Sequence, residues 1–173
     1  YWTTAVCPYS DTEFVGSDIA MNIFFARRMH TKDGNWSHSM RRTAGFHYGD
    51  MINRFVWGGA PRCLRFCTAG GALGVLLELD EVQSSALELV QSALVRESQG
   101  GIAWDDWRTL RTEHRVSPAH GVIDGDFITR EFGDAARDTQ ERIVALASSI
   151  ARRREAQPPA LTVDGVLATL DKL

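Results

Sequence analysis

The hydrophobic period of this chain changes once, near Leu79, and that switch restricts the folds open to it. Before it, the apolar and β-branched runs WTTAVC, DIAMNIFFA, DMINRFVW, RCLRFC and ALGVLLEL are separated by Gly, Pro, Asn and Asp clusters, the pattern of short strands in a meandering antiparallel sheet. After it, Val82, Ala86, Leu89, Val90, Ala93 and Leu94 recur at helical spacing, which predicts an amphipathic helix over 81–97 that ends before Gly100 and Gly101. Further helices are expected around Trp104–Glu113 and from about Asp134 to Arg154, the latter with Ile143, Leu146, Ala147 and Ile150 on one stripe and stopped by Pro158 and Pro159. Thr162 caps a last short helix, VDGVLATLDKL. Strands first and helices second argue for two units rather than an alternating α/β fold.

Within the strand-rich half, alternation puts Met51, Asn53, Phe55 and Trp57 on one face of DMINRFVW and Ile52, Arg54 and Val56 on the other. Neither face is purely polar, so both are expected to meet protein. The segment RRMHTKDGNWSHSMRRTAG (27–45), rich in charge, Gly, Ser and His, reads as a long exposed loop.

Composition then removes several function classes. A 173-residue chain with 44% hydrophobic and 24% charged residues is of globular type. Its formal net charge of −3 argues against a broad electrostatic footprint for DNA or RNA. Three cysteines, Cys7, Cys63 and Cys67, cannot form an even disulfide framework, and no run approaches the apolar length of a membrane span, so a soluble chain in a reducing, intracellular setting is expected. The first residues are Tyr1 and Trp2 rather than Met, with no secretory pattern after them, as in a piece cut from a longer chain.

No catalytic constellation emerges. Cys63 and Cys67 would share one face of a strand about 13 Å apart, too far for one metal ion, and read as buried or half-buried structural thiols. GGALG (70–74) lacks the Lys and Ser or Thr of a phosphate loop and leads into a strand, which fits a hairpin turn. His30, His38, His47, His114 and His120 have no nucleophile or carboxylate at motif spacing and read as surface or core histidines. The arginines at 27, 28, 41, 42 and 152–154 do not interleave with aromatics and read as solvated charge.

GVIDGDFITREF (121–132) offers the sharpest alternative, since Asp124 and Asp126 could hold a metal or act as an acid/base pair. An EF-hand loop starting at Asp124 fails, because Ile128 and Thr129 occupy its fifth and sixth positions. As the N-cap of a helix, Asp124 would accept from the backbone N–H of Asp126 or Phe127, with Asp126 in the first turn and Ile123 and Ile128 placed as a hydrophobic staple.

The same residues carry a resemblance. RTEHRVSPAHGVIDGDFITREF is similar to the C-terminal domain of the DNA damage-binding protein 1 family, adaptors of cullin-RING ubiquitin ligases, whose members share Thr-Glu, a Pro, then Gly, an apolar residue and Ile-Asp-Gly-Asp. Collinear pieces follow the family along the chain: WTTAVC, EFVGSDIAMNIFF, GFHYGDMINRF, FCTAGGALGVL, WDDWRTLRTEH and LTVDGVLATLDKL. The related propeller subunits of the cleavage-and-polyadenylation factor and of splicing factor 3b resemble it less.

This resemblance implies β plus α architecture: residues 1–79 as the last blades of the third of three β-propellers, and 80–173 as the helical C-terminal domain. It implies a non-enzymatic adaptor of the nucleus and cytoplasm, active in protein ubiquitination and DNA repair, with no cofactor and no catalytic or metal-binding residue. Partners would be the rest of the parent propeller chain and substrate-receptor proteins, whose helical or looped segment enters a clamp between propellers. Cullin would be held only by a propeller outside this chain, nucleic acid at most indirectly, and no membrane. Carried over by position, the clamp wall would include Trp2, Met51, Asn53, Arg54, Ala69 and Leu110. Arg54 and Ala69 depart from the larger or similar apolar residues usual there, and the loop from Trp57 to Arg62 is shorter than usual. The same positions could instead be propeller core packing. The alternative function is a propeller scaffold of a polyadenylation or splicing complex.

Overall fold

The computed structural model describes residues 2–31, 33–58, 63–97, 121–153 and 161–172, with the backbone alone for 36–38. The expected helix around Trp104–Glu113, His114, His120 and Leu110 lie outside the described residues. The described residues up to Glu78, together with Gly121 and Val122, form one compact unit; those from Leu79 to Glu97 and from Ile123 onward form a second.

The first unit is two antiparallel sheets. Four strands, β1 (Thr3–Pro8), β2 (Glu13–Asp18), β3 (Asn22–His30) and β4 (Trp36–His47), pair in chain order, and three more, β5 (Ile52–Trp57), β6 (Cys63–Thr68) and β7 (Leu73–Leu77), do the same. The core lies between the sheets, where Val15, Ile23 and Phe46 of the first meet Ile52, Phe55, Leu64 and Phe66 of the second. Each sheet places an aromatic ring over a cross-strand glycine: a Cβ at Gly16 would stand 2.4 Å from Phe24 Cζ, and one at Gly74 2.0 Å from Phe66 Cζ. The missing side chain lets each ring cover neighbouring backbone.

Three expectations change here. The segment 27–45 is not a long loop: β3 runs to His30 and β4 begins at Trp36, leaving only a short connection. Polar residues dominate because the outer part of this hairpin is exposed, while the buried Ala44 and Phe46 at its inner part carry the strand signal. DIAMNIFFA is not one strand, because Asp18 ends β2 and its carboxylate accepts from the backbone N–H of Ala20 at 3.0 Å and of Asn22 at 3.1 Å, folding a tight turn. In DMINRFVW the pairing passes from Ile52↔Thr68 to Arg54↔Cys67, so Asn53 is bulged. The bulge flips parity, and Ile52 and Phe55 both enter the core while Asn53 and Arg54 face solvent.

The second unit holds α1 (Glu81–Glu97), α2 (Gly125–Ile128), a π-helical turn (Thr129–Gly133), α3 (Arg137–Arg153) and α4 (Val163–Leu170). Asp80 and Gln83 cap α1 reciprocally: the Gln83 N–H donates to Asp80 Oδ1 at 2.8 Å and the Asp80 N–H to Gln83 Oε1 at 3.1 Å. The buried row of α1 is Leu87, Leu89, Val90, Ala93 and Leu94, with Val82 left exposed in the first turn, contrary to its place in the expected stripe. These side chains pack with Phe127, Ile128, Phe132, Ile143, Ala147, Ile150, Val163 and Val166 into one core.

Asp124 is the N-cap of α2, its Oδ1 accepting from the Phe127 N–H at 3.1 Å, and its own N–H donates to Gln91 Oε1 at 2.8 Å. Ile128 is fully buried and Ile123 packs against the same core, as a staple requires. The carboxylate is thus engaged in holding backbone. Asp124→Ala is expected to destabilise the helical unit by about 1 kcal/mol, measured by urea unfolding. An unchanged midpoint would remove the cap from the account.

Candidate functional site

The strand register decides which loops meet. Thr3 pairs with Asp18, Asn22 with His47, Ile52 with Thr68, and Cys67 with Leu73. The start of β1, the β2–β3 turn, the β4–β5 connection and the β6–β7 turn therefore share one end of the strand unit. Hydrogen bonds tie them in sequence. The Met21 carbonyl accepts from Tyr48 N–H at 2.9 Å and Gly49 N–H at 3.3 Å, and the Met51 carbonyl accepts from Ala69 N–H at 2.8 Å. Thr4 Oγ1 donates to the Ile52 carbonyl at 2.8 Å, fixing the start of β1 beside β5.

Two features show how closely this rim is held. Met21 has φ of 63°, a left-handed conformation that costs a residue with a Cβ about 1–3 kcal/mol unless its surroundings enforce it. Its doubly bonded carbonyl and its own N–H, 3.0 Å from the Asp18 carbonyl, supply that enforcement. Asp50 is the second clasp: Oδ1 accepts from Met51 N–H at 2.7 Å and Oδ2 from Gly70 N–H at 3.2 Å, so one carboxylate joins the β4–β5 connection to the β6–β7 turn. A Cβ at Gly70 would lie 2.4 Å from that Oδ2. The turn itself is the hairpin expected of GGALG, with Gly71 at φ 87°.

The Thr68 hydroxyl, with the Met51 and Gly70 amides, holds the Asp50 carboxyl below its ordinary value. A depressed folded-state pKa stabilises above the unfolded value, near 3.9, and that contribution is lost as pH falls through the folded value. Asp50→Asn is therefore expected to lower the thermal midpoint at pH 7, with the gap between the variant and the parent closing on acidification. A gap independent of pH would show that the charge plays no part.

The structure places the expected wall residues unequally. Trp2 is 82% exposed beside the start of β1, its carbonyl accepting from Ile19 N–H at 2.9 Å. Met51 is half-buried, Asn53 exposed on the bulge, and Ala69 exposed on the β6–β7 turn, bonded to Met51. Arg54 is exposed across from Cys67, on the sheet face that turns away from the core. Leu110 lies outside the described residues. Ile19, 52% exposed, adds an apolar side chain next to Trp2 that reading the sequence missed, as it missed the Asp50 clasp.

Beneath the rim lies a buried polar chain. Asn22 Nδ2 donates to Asp18 Oδ1 at 3.1 Å and Oδ2 at 3.2 Å, which turns its Oδ1 toward His47 Nδ1 at 2.9 Å. The amide orientation set by Asp18 thereby puts the proton on His47 Nδ1. His47 is thus a core histidine bonded to the Asn22 amide, in keeping with the expected reading, and Asp18 and Asn22 supply no nucleophile. Among the described residues no three His, Cys, Asp or Glu side chains gather as metal ligands, and no helix is long and apolar enough to cross a membrane.

Residues 1–132 match the family described as the CPSF A subunit region. The chain belongs to that family. It is 30% identical to DNA damage-binding protein 1b of Arabidopsis thaliana over 156 residues, 82% of this chain and 14% of that protein. DNA damage-binding protein 1a of the same plant is 28% identical and DNA damage-binding protein 1 of Oryza sativa subsp. japonica 26%, over the same shares. The chain thus spans about 14% of the length of these family members. The resemblance carried by GVIDGDFITREF and its collinear companions is the one these relatives show.

Proposed function

We propose that the chain is part of a non-enzymatic adaptor of a cullin-RING ubiquitin ligase, and that its strand unit supplies one wall of the clamp for substrate receptors. The observation that carries this is the rim: Trp2, Ile19 and Met51 present apolar surface on loops that hydrogen bonds fix to one another. A rigid apolar anchor beside polar neighbours is the usual basis for receiving a helix. In this reading residues 1–79 are the last blades of a propeller and 80–173 the helical domain that follows it. A four-stranded meander succeeded by three strands supports successive blades. So do the exposed Leu73, Val75, Leu77 and Val56, on the face of the second sheet turned away from its core, where a further blade would stack.

The adaptor would act in the nucleus and cytoplasm, in ubiquitination and DNA repair, without catalytic residues or a cofactor. Cullin would be reached only through other parts of the parent protein, and nucleic acid only through a receptor. One observation favours a second reading: the matching family is described by a CPSF subunit, which suits a scaffold of a polyadenylation or splicing complex. Purification of the parent protein, with its partners identified by mass spectrometry, separates the two. A cullin together with receptor proteins supports the adaptor; RNA-processing factors without cullin sink it in favour of the second reading.

A further inference from the structure

The outward half of the β3–β4 hairpin concentrates positive charge in Arg27, Arg28, Arg41 and Arg42. Arg27 and Arg41 are direct cross-strand partners, and like charges so placed destabilise a sheet. Glu13, the partner of Arg27 on β2, compensates one of them, its Oε1 accepting from Arg27 Nε at 2.9 Å and Nη2 at 2.7 Å. Among the described residues neither Arg41 nor Arg42 has a carboxylate partner. Arg42 is nonetheless held in one orientation. Its Nε donates to the Ala44 carbonyl at 3.3 Å, its guanidinium carbon stands 6.0 Å from the Phe24 ring centroid, and it lies over Gly45, where a Cβ would meet Nη2 at 2.1 Å. Among the described residues, Arg27, Met29, Arg41, Arg42 and Thr43 line an open cleft of about 390 Å³ along β4, the outer strand of its sheet.

We infer that this cleft binds an acidic peptide segment laid along β4, with one of its carboxylates paired to Arg41. The row Glu13, Arg27, Arg41 runs negative, positive, positive across three strands, and a carboxylate beyond Arg41 would give each arginine an acidic neighbour. Among the described residues β4 is the outer strand of its sheet, where an added segment would gain main-chain pairing, and the held Arg42 guanidinium loses less freedom on pairing than a loose side chain would. The chain as a whole is acidic, so this is a local inversion of charge that selects an acidic partner. Nucleic acid is disfavoured because, among the described residues, no aromatic side chain lines the cleft for base stacking. The competing explanation is protection of an edge: the pairing skips Thr43, and bulges with charged side chains discourage unwanted strand addition.

The test is fluorescence anisotropy of the 173-residue chain with a labelled decapeptide of alternating glutamate and threonine. Binding is expected, weakening with salt and falling about tenfold or more in Arg41→Glu with Arg42→Glu, while Arg96→Glu on the helical unit leaves it unchanged. Far-ultraviolet circular dichroism checks that each variant is folded. Equal loss in Arg96→Glu, equal binding of a lysine–threonine peptide, or variants that aggregate without losing affinity would each overturn the inference, the last in favour of edge protection. Tighter, Arg41-dependent binding of an oligothymidine would replace the peptide with nucleic acid.

Discussion

Phe132→Ala is expected to destabilise the helical unit by about 3–5 kcal/mol, a large share of the 5–15 kcal/mol that holds a typical domain together. Among the described residues Phe132 is the largest fully buried side chain, and it stands on the π-helical turn, not on a regular helix. The wider turn aims this one ring into the core shared by α1, α3 and α4, and its backbone is pinned there. The buried Gln140 on α3 donates through Nε2 to the Phe132 carbonyl at 2.9 Å and the Gly133 carbonyl at 3.4 Å. A segment fixed at both its capped start and this end cannot collapse to fill the void. Urea unfolding followed by helical circular dichroism measures the loss. A cost under about 1 kcal/mol would mean that the segment relaxes freely.

Gly74→Ala should be the most damaging small change in the strand unit, at about 1–3 kcal/mol. Its new methyl would meet the Phe66 ring at contacts as short as 2.0 Å, and the ring has nowhere to go. Phe66 is buried, edge-on to Tyr48 at 5.0 Å and near Phe55 at 6.1 Å between centroids. In a Phe66→Leu background the same substitution should cost far less, because the obstructing ring is absent. A double-mutant cycle on thermal or urea unfolding gives the coupling. Additive costs would contradict a direct clash and point to backbone strain instead.

How much of this was legible in the sequence depended on whether a feature was local. The change of period at Leu79, the cap at Asp124, the cap at Thr162 and the GGALG turn are each set by a few adjacent residues, and each stands where its chemistry puts it. The strand over 36–47 was hidden because its outer half is solvated on the surface of a hairpin, so Arg41, Arg42 and Thr43 look like loop. The bulge at Asn53 was hidden for another reason: it comes from pairing with β6, and no alternation within DMINRFVW reveals it. The rim is similarly non-local. Asp50 and Gly70 are twenty residues apart, and only register brings them together. Composition pointed to none of the rim residues; Trp2, Met51, Asn53 and Ala69 came from the family resemblance, which could not say that Asn53 and Arg54 would fall on opposite sides of a change in parity.

The central claim is that the rim receives a receptor segment. The most direct measurement is the affinity of the intact parent protein for a helical segment of a substrate receptor, compared with Trp2→Ala plus Asn53→Ala. Loss of about a hundredfold, with thermal stability unchanged, is the result expected if an exposed aromatic anchor and the bulge beside it carry the contact. Undiminished binding by the double variant would contradict it and return these residues to ordinary packing of the fold.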